Sequence, residues 1–189
     1  QVRLVNSKDS SIDHTEAMLQ FSQKLLPELK QLSGYIVCAK SPSCGMERVR
    51  LFDAAGQQLG KLGVGLYTRQ LMQHYPWLPV EEDGRLFDPE LKENFICRVF
   101  SCYDYQQTMQ DGFSVGKLVA FHSRYKFLVM AHSPVAYREL GRLVAQAKLF
   151  SAQELQQRYL QDLMQALKNI ATRKQHTNVL QHLQGFLKH

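Results

Sequence analysis

Gly34-Tyr35-Ile36-Val37-Cys38-Ala39-Lys40-Ser41-Pro42-Ser43-Cys44-Gly45 is a short apolar run that ends in a turn fixed by Pro42 and Gly45. The run reads as a buried strand. The turn puts Cys44 at the strand's end, where a side chain is placed for chemistry. A thiolate acts as a nucleophile or metal ligand when amides or positive charge favour the ionised form, and Lys40, Arg48 and Arg50 lie nearby in sequence. The other reading of Cys44 is a small buried residue in an ordinary turn.

Working outward, Asp13-x-x-Glu16 has the form of a capping box opening a helix to about Leu32, with Pro27 kinking it or starting a second segment. After the Ser-Pro-Ser-Cys-Gly loop, Val49-Arg50-Leu51-Phe52 alternates like a strand and Asp53-Ala54-Ala55-Gly56 is a turn. A helix over 64–75 and a short strand at Leu78-Pro79-Val80 complete a truncated three-layer α/β domain over residues 1–85. From 86 to 189 the apolar spacing is helical. Asp88-Pro89 starts a helix to about Gln107, a second runs from Ser114 to about Ala131, and Ser133-Pro134 opens a third. Ser151-x-x-Glu154 caps a fourth helix to about Thr172, and a last one runs over 175–187. The fold class is α/β followed by an all-α domain of about five helices.

Composition narrows the class. With 189 residues, 44% of them hydrophobic, the chain can bury a real core. No apolar run approaches the roughly 18 to 20 residues that span a bilayer, and no signal peptide opens the chain. No membrane is expected as a partner, and a cytoplasmic location is. Cys38, Cys44, Cys97 and Cys102 form no dense framework, so no disulfides are expected. The net charge of +6 is uneven: from Lys117 onward there are 11 Lys/Arg against 3 Asp/Glu, a net of +8. Such a segment suits nucleic acid or an acidic protein partner, and equally a solvated basic face.

The histidines do not make a local metal site. His122 and His132 are ten residues apart, about 15 Å along a helix, and no His-x-x-x-His, Glu-x-x-His or Cys-x-x-Cys spacing occurs. Arg173 and His176 continue the apolar stripe of the last helix. They either line an anion or partner pocket with His122, Arg124 and Lys126, or form a buried hydrogen-bond network between helices, which is the favoured reading. Gly60-Lys61-Leu62-Gly63-Val64-Gly65 precedes a helix and could offer amides to an anion, although its spacing matches no nucleotide fingerprint. Tyr67, Tyr75, Trp77, Tyr103 and Tyr105 fall where aromatics pack rather than stack on bases.

Lys40-Ser41-Pro42-Ser43-Cys44-Gly45, Gly63-Val64-Gly65 and Leu78-Pro79-Val80-Glu81-Glu82 resemble the C-terminal part of the iron-sulfur thiouracil desulfidase family. Later stretches are similar to the YbgA-type helical domain often fused behind it: Phe121-His122-Ser123-Arg124-Tyr125-Lys126, Met130-Ala131-His132-Ser133-Pro134 and Ala171-Thr172-Arg173-Lys174-Gln175-His176. The resemblance implies a [4Fe-4S] cluster held by three cysteines, with one iron open to take sulfur from a thiolated pyrimidine base or nucleoside. It places the last cluster ligand at Cys44, with Ser41 and Ser43 flanking the cluster to orient substrate or protons. The family's other two cysteines lie upstream of the segment that Gln1-Val2-Arg3-Leu4-Val5 continues. The chain is therefore expected to be the C-terminal part of a longer enzyme, inactive and without a cluster on its own. Cys38, Cys97 and Cys102 match no ligand position of the family.

Overall fold

The structure is a computed structural model, and it describes residues 2–172, 175–177 and 179–181. The chain divides between Lys92 and Glu93 into two compact units. The first is mixed α/β and the second helical.

The first unit opens with α1 (Thr15–Leu25), followed by a 3-10 turn over Leu26–Leu29. Pro27 ends the α-helix early, because it lacks an N–H and its ring clashes with the preceding turn. The helix expected to reach Leu32 therefore stops at Leu25. The capping box is absent as well: the Asp13 carboxylate accepts the Thr15 N–H at 2.8 Å, an Asx turn, and His14 in the N-cap position makes no side-chain cap.

Strand β1 (Tyr35–Val37) pairs in parallel with β4 (Val80–Glu82), Tyr35 facing Val80 and Val37 facing Glu82. Between them, β2 (Val49–Phe52) and β3 (Gln58–Gly63) form an antiparallel hairpin that carries irregularities beside Leu51. The glycines of β3 hide its strand character in sequence, since Gly is depleted from strands. Helix α2 (Leu66–His74) then leads back to β4. Leu26, Val37, Tyr67, Leu71, Tyr75, Leu78 and Val80 make the core, and the Tyr75 hydroxyl donates to the Leu26 carbonyl at 2.7 Å.

The helical unit contains α3 (Pro89–Met109), α4 (Val115–His132), α5 (Pro134–Ala145) and α6 (Ala152–Leu167). Each starts where the sequence places its cap. Asp88 accepts from the Glu90 and Leu91 amides, Ser114 from Lys117, Ser133 from Ala136, and Ser151 forms the full capping box with Glu154. Helix α6 ends at Leu167, short of the expected Thr172. Residues 175–177 and 179–181 are helical, and the rest of the expected last helix lies outside the described residues. Tyr105, Phe121 and Tyr159 are fully buried and meet edge-on and stacked, with ring centroids 5.1 to 6.1 Å apart.

Gly65 is the tightest point of the first unit. A Cβ there would sit 2.5 Å from the Cys44 nitrogen and from the Ser43 carbonyl, both backbone atoms that cannot yield cheaply. Gly65→Ala is expected to cost about 1–3 kcal/mol in chemical denaturation. Gly116→Ala, in α4 with only the Ser114 hydroxyl at 3.9 Å, is expected to be neutral or mildly stabilising.

Candidate functional site around Cys44

The Ser41–Gly45 turn is held by the start of α2. The Gly65 amide donates to the Gly45 carbonyl at 2.8 Å, Leu66 to Pro42 at 3.3 Å and Tyr67 to Ser43 at 2.8 Å. The first free amides of the helix are thus spent on the turn's carbonyls. This overturns the reading of the Gly60–Gly65 stretch as an anion cradle. The Thr68 hydroxyl, fully buried, donates to the Cys44 carbonyl at 2.7 Å. Within the turn, Gly45 N–H donates to the Ser41 carbonyl at 2.8 Å, Cys44 N–H to the Ser41 hydroxyl at 3.3 Å, and the Ser41 and Ser43 hydroxyls share a bond of 3.0 Å.

From the other side, β4 supplies a buried carboxylate. Glu82 accepts the Met46 amide at 2.9 Å and the Glu47 amide at 3.2 Å, so the chain leaving Cys44-Gly45 is tied to the sheet. Next to it, Arg85 donates to Glu81 at 2.7 Å and to Glu47 at 2.8 Å. Such charge-assisted bonds are the stronger kind. Lys40 and Arg48 bound this segment and both take left-handed backbone angles, φ of 62° and 55°. Non-glycine residues there cost on the order of 1 kcal/mol each, which the surrounding bonds offset.

The turn opens on two shallow apolar clefts. One of about 330 Å³ is lined by Met18, Phe21, Tyr35, Cys38, Ser43, Cys44 and Tyr67 among others, and a second of about 420 Å³ by Leu4, His14, Phe21, Pro42 and Ser43. Ser43 faces both. Phe21 and Tyr35 each lie about 6 Å from the Tyr67 ring, and the Tyr67 hydroxyl donates to Tyr35 at 3.1 Å. Burial pushes the Tyr67 phenol well above its ordinary range, so it stays protonated.

The structure also places Cys38 beside Cys44, a juxtaposition the sequence reading did not anticipate. Both are free thiols that line the same cleft. The neighbouring Cys44 thiol, then the Asp83 carboxylate, push the Cys38 thiol up. Cys97 and Cys102 lie on α3 in the other unit, where burial raises both, Cys102 to about 12. A [4Fe-4S] cluster held by three cysteines asks for one thiol more than the Cys38–Cys44 pair, and no group of three or more Cys, His, Asp or Glu that could hold a metal occurs among the described residues. The residues on this chain do not by themselves fit the cluster.

In the helical unit several of the expected pocket residues have local partners. His122 Nδ1 bonds the Tyr159 hydroxyl at 3.0 Å, Arg124 pairs with Asp104 at 2.9 Å over the Phe121 face, and Lys126 lies over Phe127. His132 Nδ1 bonds the Asn169 carbonyl, and its ring is 6.1 Å from that of His176. Arg173 lies outside the described residues.

Residues 1–83 match the family model described as 2-thiouracil desulfurase, and residues 126–189 that of a protein of unknown function, DUF1722. Among curated proteins, the uncharacterized protein YbgA of Escherichia coli (strain K12) is 32% identical over 97 residues, covering 51% of this chain and 57% of that protein. The chain thus spans little more than half of that relative's length. No solved structure matches. The chain is similar to a desulfurase-type domain followed by a YbgA-type helical domain, in the order the sequence motifs imply.

Burial, then the nearby Lys126, holds the His122 imidazole below its ordinary range, so the neutral ring that bonds Tyr159 is the folded form. A depressed histidine contributes stability that is present above its unfolded pKa and lost as pH falls through the folded one. Between about pH 7 and about pH 5, wild-type protein is expected to lose more unfolding free energy than His122→Gln. Equal losses in denaturant titrations would remove His122 from this account.

Proposed function

We propose that the chain is the cysteine-bearing part of an enzyme that removes sulfur from thiolated pyrimidine bases or nucleosides, replacing C=S by C=O with water and releasing hydrogen sulfide. The observation that carries this reading is the match of residues 1–83 to 2-thiouracil desulfurase, on a turn that holds Cys44 rigidly at an open cleft. In the intact protein Cys44 would be one of three cysteines holding a [4Fe-4S] cluster, which would supply an open iron for sulfur chemistry. The chain alone holds none. Its own contribution is positional. Cys44 is fixed through Thr68, Ser41 and the start of α2, while Ser43 and Ser41 present a coupled pair of hydroxyls that can pass a proton at the cleft. Phe21, Tyr35 and Tyr67 offer aromatic surface that suits a flat base.

The helical unit is an accessory domain in this reading. For His122 and Arg124 we place packing ahead of an anion or nucleic-acid pocket, because Tyr159 engages His122 Nδ1 and Asp104 engages one guanidinium nitrogen of Arg124.

The test is anaerobic reconstitution of the intact protein with iron and sulfide. A broad visible charge-transfer band and consumption of thiouracil are expected, both lost in Cys44→Ser. Ser43→Ala is expected to keep the band and lower turnover by roughly 100-fold or more. A colourless intact protein that leaves thiouracil untouched would overturn the proposal.

A further inference from the structure

Besides the two thiols, the polar side chains lining the cleft beside Cys44 are few: Ser43, Tyr35 and Tyr67. The two phenols have different supports. Tyr67 is 6% exposed and belongs to the core with Leu71 and Val80, and its amide donates to the Ser43 carbonyl, one residue before Cys44. Tyr35 is only partly buried, at the start of β1, where its amide donates to the Pro79 carbonyl at 2.9 Å. The rings stand 6.0 Å apart, tilted by 47°, and the hydroxyls meet at 3.1 Å with Tyr67 donating to Tyr35.

A phenol carries one proton and two lone pairs, and the bond from Tyr67 occupies one lone pair of Tyr35. The Tyr35 proton is left over, and no acceptor takes it among the described residues. Accepting a bond also polarises a hydroxyl, so the Tyr67 bond makes Tyr35 the better donor. A donor in a cleft walled by the Phe21 and Tyr67 rings suits an acceptor in the plane of a flat ligand, which on a pyrimidine is a ring carbonyl oxygen. Sulfur accepts more weakly than oxygen, so the same bond turns a carbonyl toward Tyr35 and leaves a thiocarbonyl for Cys44. We propose that Tyr35 is a specificity-determining residue that donates to a ring carbonyl of the substrate, with Tyr67 as its positioning residue. The site then selects thiolated pyrimidines that keep a second, oxygen-bearing carbonyl over rings that lack one. This rests on the desulfurase reading of the cleft.

The test is a ligand-detected NMR titration of the full chain, thiols reduced, with two probes: uracil, which carries ring carbonyls, and pyrimidine-2-thione, which carries none. Tyr35→Phe is expected to weaken uracil binding by roughly 3- to 10-fold, the range that one neutral hydrogen bond confers, and to leave pyrimidine-2-thione binding unchanged. Tyr67→Phe is expected to narrow the same discrimination by less, since Tyr35 keeps its proton and loses only its support. Both variants retain the ring, so the cleft walls stay in place, with circular dichroism as the check. In the intact protein reconstituted with iron and sulfide, Tyr35→Phe is expected to raise KM for thiouracil by the same factor and to leave kcat unchanged. Intact protein without turnover would sink the desulfurase reading, whereas the titrations decide the carbonyl contact by themselves. Uracil that does not bind the wild-type chain, uracil affinity untouched by Tyr35→Phe, or equal losses for both probes would overturn the proposal.

Discussion

The approach of Gly65 to the Ser43–Cys44 peptide is the constraint on which the first unit depends. A single missing Cβ lets the start of α2 press against the turn closely enough for three successive amides, those of Gly65, Leu66 and Tyr67, to bond the carbonyls of Gly45, Pro42 and Ser43. Gly45 is under the same restriction from the other side, with the Ser41 carbonyl and a Val49 methyl each 2.8 Å from where its Cβ would lie. The helix start and the turn therefore satisfy each other's backbone groups. Neither arrangement is satisfied without the other.

Around that contact the sheet supplies the second anchor. Parallel pairing of β1 with β4 sets Val37 opposite Glu82, and the Glu82 carboxylate then reaches the amides just beyond Gly45. Removing a buried carboxylate from two N–H groups leaves donors that no water replaces cheaply. A strand whose three residues are all buried carries two glutamates because both carboxylates have assigned partners: Glu81 takes Arg85, and Glu82 takes the turn. The left-handed angles at Lys40 and Arg48 show how far the chain is bent to bring Cys44 to the cleft.

Much of this was legible in the sequence. The strand at Tyr35–Val37, the one at Val49–Phe52 and the caps at Asp88, Ser114, Ser133 and Ser151 follow from apolar runs and oxygen-bearing residues at helix starts, signals that act over a few positions. Strand β3 was hidden because its glycines carry no side chain to alternate. The role of Asp13 was misread because an Asx turn and a capping box begin with the same residue. The surroundings of Cys44 were not legible: Thr68 bonds its carbonyl, Glu82 bonds the amides just beyond Gly45 and Cys38 lines the same cleft, all by tertiary placement that spacing does not encode. The pair Glu81-Glu82 directly after Leu78-Pro79-Val80 was the available signal, since consecutive carboxylates in a core strand require buried partners. In the helical unit, Tyr105 packs as the sequence suggests while Tyr103 is exposed, and the partner of Arg124 twenty residues away on α3 had no local signature.

Native-state hydrogen exchange tests most directly whether the Cys44 turn, α2 and β4 form one cooperative unit. The amides of Gly45, Met46, Gly65 and Tyr67 are expected to open with the same free energy as those of β1 and β4, since they share the bonds that close the unit. Fast exchange at Met46 and Gly65 beside a protected β1 and β4 would contradict the account, and would mean that the turn presenting Cys44 is not held by the fold.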